Sequence, residues 1–237
     1  MRKSILAFAI LSLTMACKNS GSANPEKDNT QDTLAFTTMN TDENPNWHKN
    51  ATIYEVNIRQ YTPEGTIKAF QQHLPRLQDL GVKILWIMPV QPIGEEKRKG
   101  TLGSYYSIKD YTAVNPNFGT VEDFKALVED AHNRDMKVIL DWVANHTAWD
   151  HHWITEHPEY YTKNEAGEII APVEDWSDVA DLNYDQEGMP QAMTNEMLWW
   201  VNETNLDGFR CDMAMMVPLE FWQETRKQLE AVKPVFM

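Results

Sequence analysis

An arginine and an aspartate stand two positions apart in the otherwise apolar run "LDGFRCDMAMM", at Arg210 and Asp212. Side chains of an extended strand alternate between faces, so these two should point together while Phe209, Cys211 and Met213 point away. A guanidinium beside a carboxylate favours the charged form of that carboxylate. An ionised, positioned carboxylate is what covalent glycosyl transfer needs as a nucleophile. A buried structural ion pair accounts for the same two residues equally well, because such pairs also perturb ionisation. A second polar set closes an apolar run upstream. In "VILDWVANHTA", Val138, Ile139 and Leu140 lead to Asp141, Asn145 and His146. The two runs together offer two carboxylates, an amide, an imidazole and a guanidinium.

These groups act together only if their strands lie side by side, and the rest of the sequence predicts that they do. "ATIYEVNIRQY", "VKILWIMPV", "MKVILDWV" and "LDGFRCDMA" read as strands, and "PVFM" opens a fifth. Between them, "TIKAFQQHLPRLQDLG", "TVEDFKALVEDAHNRD", "MPQAMTNEMLWWVNE" and "PLEFWQETRKQLEAVK" read as helices. Thr120 and Asp123 are spaced as a capping pair, and Gly81 closes the first helix. Strand and helix alternating in this way predict a parallel sheet with crossover helices. The wide spacing suits a (β/α)8 TIM barrel, of which about the first half is present. Polar residues at the C-terminal ends of barrel strands form the active site. The stretch from His146 to about Asn183 is too long for a simple loop and reads as a small inserted subdomain, about residues 147–183. No G-x-G-x-x-G or phosphate-binding loop occurs, so no organic cofactor is expected.

A net charge of −14 argues against nucleic acid and fits a neutral ligand. Nine Trp are many for this length, and composition alone favours a core for them over flat platforms for sugar rings. At the N-terminus, Arg2 and Lys3 precede an apolar run from Ile5 to Ala16 that ends in "LTMAC". Residues 1–17 read as a signal peptide of lipoprotein type with Cys17 as the lipidated residue, 18–46 as a flexible linker, and 47–237 as the barrel portion. This predicts export to the periplasm or cell surface, with membrane contact only through the lipid anchor. Cys211 is then left without a disulfide partner.

"DWVANH" and "GFRCD", in that order around an inserted segment, resemble the first two signature regions of the α-amylase superfamily, glycoside hydrolase family 13. "VADLNY", "GSYYSIKDYTAVNPNFGT" and "IYEVNIRQYTPEG" resemble three further segments of the same family. The resemblance implies an α-glucan or maltooligosaccharide substrate and a retaining mechanism. It implies Asp212 as nucleophile and Arg210 as the group holding it ionised. It further implies that His146 hydrogen-bonds the sugar being cleaved, Tyr106 stacks beneath that sugar, and Asp141 braces Arg210. Asn145 and Asp181 match positions that bind a structural Ca2+ in many members; a plain structural role for both stands equally. Transglycosylation at the same site, and a non-catalytic glucan-binding protein, are the alternative readings.

The pattern departs from the family in two places. Where many members carry Lys-His, three and four residues after the nucleophile, this chain has Met215 and Met216. The general acid of the family, a Glu at the end of strand five, is not in this chain and is expected just past Met237. Glu220, Glu224 and Glu230 lie on the preceding helix and are poor substitutes, so the chain alone is expected to be inactive. "DLNYDQEG" lacks the Gly and Glu of a calcium-binding EF-hand loop. His151 and His152 are adjacent, which suits surface histidines better than a metal pair.

Overall fold

Four apolar runs pair as parallel strands of one sheet: β1 (Ile53–Val56), β2 (Ile84–Ile87), β3 (Lys137–Val143) and, after an insertion, the strand Phe209–Asp212. The structure, a computed structural model, describes residues 47–237. The signal-peptide, linker and Cys17 expectations fall outside the described residues. In chain order the other elements are α1 (Ile58–Tyr61), α2 (Ile67–Gln71), α3 (Leu74–Asp79), α4 (Val121–His132), β4 (His146–Ala148), α5 (Trp153–Glu156), β5 (Val179–Asp181), α6 (Met189–Thr204), then Phe209–Asp212 as β6, and α7 (Leu219–Glu230). The sheet order is β1-β2-β3-β6. Phe236 then bridges Gly208 in parallel, where the sequence opens a fifth strand.

The sheet has two unlike faces. Val56, Leu85, Ile87, Val138, Leu140, Trp142 and Phe209 belong to the hydrophobic core, together with Phe70, Leu74, Phe124, Leu127, Met197 and Trp200 from the helices. The strand registers put Trp86, Ile139, Asp141, Arg210 and Asp212 on the opposite face. Period-two alternation therefore sends one set of side chains to the helices and the other to the concave side, where the chemistry lies.

Local signals explain most element boundaries. Thr120 and Asp123 form a reciprocal capping box at the start of α4, as their spacing predicts. The first helix is broken in two, because Pro75 has no N–H to return to Gln71 and its ring crowds the preceding turn. "ATIYEVNIRQY" is a strand only to Val56. Met88 N–H donates to Val56 O, and after Asn57 the chain turns into α1 instead. Gly208 has φ +147°, and a Cβ there would stand 1.9 Å from Phe236 O, so the close approach of the fifth strand requires glycine. Between β3 and α6, β4 and β5 pair antiparallel as a second small sheet.

At the N-terminal end of β6, buried Asp207 gathers partners from three elements. His132 Nε2 lies 2.6 Å from its Oδ2, Val138 N–H donates to the same oxygen at 2.9 Å, and Lys233 Nζ donates to Oδ1 at 3.1 Å. Lys137 Nζ is 3.4 Å from Oδ1. Burial alone would raise this carboxyl, but the surrounding donors and cations pull it down to about 2. Its folded pKa lies below that of the unfolded chain, so the stabilisation is complete above about pH 4 and is lost as pH falls toward 2. We predict that Asp207→Ala destabilises the fold by about 3–5 kcal/mol in urea titrations at pH 7, with the difference shrinking below pH 4. A pH-independent difference would contradict this assignment.

Candidate active site

Asp141 and Arg210 are in direct register across β3 and β6, and Val143 is opposite Asp212. That register places one guanidinium nitrogen among three carboxylate oxygens. Arg210 Nη1 donates to Asp212 Oδ1 at 2.8 Å and to Asp141 Oδ1 and Oδ2 at 3.0 and 3.2 Å. Two further donors converge on Asp141 Oδ2: Trp86 Nε1 at 3.0 Å and the Tyr106 hydroxyl at 3.1 Å. The Arg210 guanidinium also sits over the Trp86 ring, 4.9 Å from its centroid. The Asp141 side chain is wholly buried and that of Arg210 is 37% exposed. Burial pushes Asp141 up to about 6, and Arg210 and Trp86 keep it from going higher, so it is ionised at neutral pH. Burial opposes the charge of Arg210, yet its bonds to Asp141 raise its pKa. Asp212 keeps only one contact to the guanidinium and is 14% exposed, with its edge toward the cleft.

The turn carrying Asn145 and His146 is clasped by two tyrosines. Tyr111 OH donates to Val143 O at 2.6 Å and to His146 O at 3.1 Å, and Tyr184 OH donates to Ala144 O at 2.7 Å. His146 is buried, and burial pulls its pKa down to about 4, so it is neutral at pH 7. Asn145 Nδ2 lies 3.3 Å from His146 Nδ1. Immediately after Asp212 the backbone turns sharply, with Met213 in the left-handed region at φ +45°. Strain of this kind is held where surrounding structure fixes it, often beside reacting groups.

Ser104, Tyr106, His146, Trp176, Asp178, Val179, Asp212 and Met213 line a cleft of about 240 Å³. Of the residues expected from the sequence, Asp212, His146 and Tyr106 face this cleft directly, and Arg210 and Asp141 brace it from behind. Asn145 sits beside it. Asp181 lies opposite His146 on β5, its pKa raised by burial. Among the described residues no three His, Cys, Asp or Glu side chains converge as metal ligands. Asn145 and Asp181 thus offer two of the six to eight oxygens that Ca2+ takes. Sequence reasoning missed Trp86, Trp176 and Asp178. The first carried a signal, a lone indole in an aliphatic strand, in register with Ile139 two positions before Asp141.

Two other expectations meet the structure differently. Met213 lines the same cleft as Asp212 instead of pointing away, because β6 ends at Asp212 and Met213 turns into the left-handed region. His151 is not a surface histidine. It is buried against Tyr111, Trp153 and His152, and its Nδ1 accepts from Trp153 N–H. Cys211 is free and points away from Arg210 and Asp212, with burial pushing its thiol up to about 12. Glu220, Glu224 and Glu230 are exposed on α7, the last two paired with Lys227 and Arg226.

The alpha amylase catalytic-domain family matches residues 27–176, and the chain belongs to that family. "Alpha-amylase 3" of Dictyoglomus thermophilum is 30% identical over 226 residues, covering 81% of this chain and 43% of that protein. "Trehalose synthase" of Thermus thermophilus is 31% identical over 206 residues, covering 71% of this chain and 20% of its own length. Among solved structures, an alpha-amylase from Lactobacillus plantarum is 46% identical with a TM-score of 0.77, covering 81% of this chain and 44% of that one. A noncanonic maltogenic alpha-amylase, AmyB from Thermotoga neapolitana, is 41% identical with a TM-score of 0.76, covering 80% and 45%. The chain therefore spans less than half the length of these relatives, consistent with a partial (β/α)8 barrel. The site motif around Arg210 and Asp212 lies outside the residues of the family match.

The depressed His146 pKa yields a direct test. Between about pH 4 and 6.5 the unfolded chain binds a proton that the folded chain refuses, so the fold loses stability as pH falls through that window. Imidazole nitrogen shifts followed by NMR should place the His146 inflection near pH 4. An inflection near 6.5 would show that the ring is not desolvated as described.

Proposed function

We propose that the protein carrying this chain is a retaining glycoside hydrolase of the α-amylase type, acting on α-glucosidic bonds of starch-like glucans or maltooligosaccharides. The observation that supports it most is the single Arg210 nitrogen shared between Asp141 and Asp212, with Asp212 facing the cleft. Asp212 attacks the anomeric carbon of the bound sugar and the glycosidic C–O bond breaks, leaving a glycosyl ester on the carboxylate. The leaving oxygen takes a proton from a second carboxyl, and water later releases the sugar as that carboxyl takes the proton back. Asp141 cannot supply that proton at neutral pH, since it is ionised and saturated by Arg210, Trp86 and Tyr106. Asp178 is paired with Lys99. Arg210 holds the nucleophile oriented, and neutral His146 and Tyr106 are placed to meet the sugar's hydroxyls and ring. Asn145 and Asp181 are the side chains that would contribute to a structural Ca2+, and no step above depends on one.

In the full-length protein, Asp212→Asn should remove turnover on maltooligosaccharides, a loss of about 10⁴-fold or more, with near-UV circular dichroism unchanged. Near-normal turnover in that variant would sink the nucleophile assignment. Likeness to trehalose synthases of Thermus thermophilus and Mycobacterium tuberculosis favours transglycosylation as a second reading. Product analysis on maltose decides between the two, glucose marking hydrolysis and a rearranged disaccharide marking transfer.

We further propose export and lipid attachment at Cys17, supported by the charged, apolar and "LTMAC" sequence of the N-terminus. Mass spectrometry of the mature protein should find a diacylglyceryl-modified N-terminal Cys17, and Cys17→Ser should release the protein from membranes. An unmodified terminus elsewhere overturns it.

A further inference from the structure

We infer that Trp176 is a sugar-stacking residue of the cleft, supplied by the segment inserted between β3 and α6. The inference rests on the glycosidase reading above. Trp176 lines the cleft together with His146, Asp178 and Asp212, its ring centroid 5.8 Å from that of His146 at an interplanar angle of 65°. It is half-buried, yet it is neither part of the hydrophobic core nor packed against it. Packing therefore does not account for a large apolar ring at this position. Its indole N–H makes no hydrogen bond within the described residues.

The backbone around it is held far more firmly than an ordinary surface loop. Trp176 N–H donates to Val173 O and Val179 N–H donates back to Trp176 O. Trp149 Nε1 donates to Ser177 O at 3.0 Å, and Ser107 Oγ donates to Asp178 O at 3.1 Å. The loop between Gly94 and Gly103 reaches across to the same turn. Lys99 bonds Asp175 O and pairs with Asp178 Oδ1 at 3.6 Å, while Lys97 Nζ caps the Trp149 ring, 3.1 Å from its centroid. A rigid aromatic face beside polar side chains is what a pyranose needs. Its C–H face lies on the indole, and its hydroxyls find His146, Asp178 and the free indole N–H at the edge. Because the platform is fixed in advance, binding spends little ordering entropy on it. The carboxylates beside it, Asp178 and Asp212, favour a neutral sugar over an anionic one.

Maltotriose is the probe, and the full-length Asp212→Asn protein is the parent, so that binding is read by calorimetry without turnover. Trp176→Ala should weaken maltotriose binding by about tenfold, and Trp176→Phe should retain most of the affinity. Trp176→Leu keeps the bulk without the aromatic face and should behave like the alanine variant. It also carries the test if Trp176→Ala does not fold. Parent-like affinity in the leucine or alanine variant overturns the stacking role, and an inert Asp212→Asn parent then leaves the glycosidase reading standing. If the parent keeps turnover and maltotriose does not bind, the glycosidase reading fails and the inference falls with it.

Discussion

One guanidinium nitrogen holds the site together. Arg210 Nη1 spans Asp141 on the neighbouring strand and Asp212 on its own, so strand pairing and site assembly are one event. A register slip of a single residue would turn Arg210 and Asp212 toward the helices and bring Phe209 and Cys211 to the concave face. The arrangement is not favourable for the fold by itself. Three charged groups leave bulk water, and apolar residues of similar size often stabilise a fold as well or better. What sustains the arrangement is the other face of the same strands, where Leu140, Trp142 and Phe209 are sealed beneath the helices. The alternation of β-strand side chains thus couples a stabilising face to a costly one.

The second support comes from aromatic hydroxyls and indoles used as donors. Trp86 and Tyr106 complete the shell of Asp141, while Tyr111 and Tyr184 fix the backbone turn that presents His146. These rings bury apolar surface and direct a polar tip to a chosen oxygen in the same act. This accounts for part of the aromatic surplus that composition alone would assign to the core.

Legibility in the sequence followed the range of the interaction. Arg210 with Asp212, and Thr120 with Asp123, are set by spacings of two and three residues, and the chain displays them openly. The parallel sheet was legible because its strands are short, near-continuous apolar runs that alternate with segments of helical spacing. Boundaries decided by a distant partner were not. β1 pairs with β2 only as far as Val56 and Ile87, and the burial of His151 depends on Tyr111 from another loop. Trp176 was out of reach for the same reason. Its significance lies in three loops that meet only after folding, and nothing in "EDWSDV" distinguishes a platform from a packed indole.

β6 and the residues just before it carry two carboxylates of opposite character. Asp207, at the end remote from the cleft, is saturated by partners from α4, β3 and the approach to the fifth strand. Asp212, at the other end, keeps an edge toward the cleft. The fastening that locks β6 into the fold is therefore insulated from the groups that meet a ligand. Loops at the cleft end can be lengthened, recharged or exchanged without loosening the anchor, so new specificities can be grafted there while the strand itself stays put.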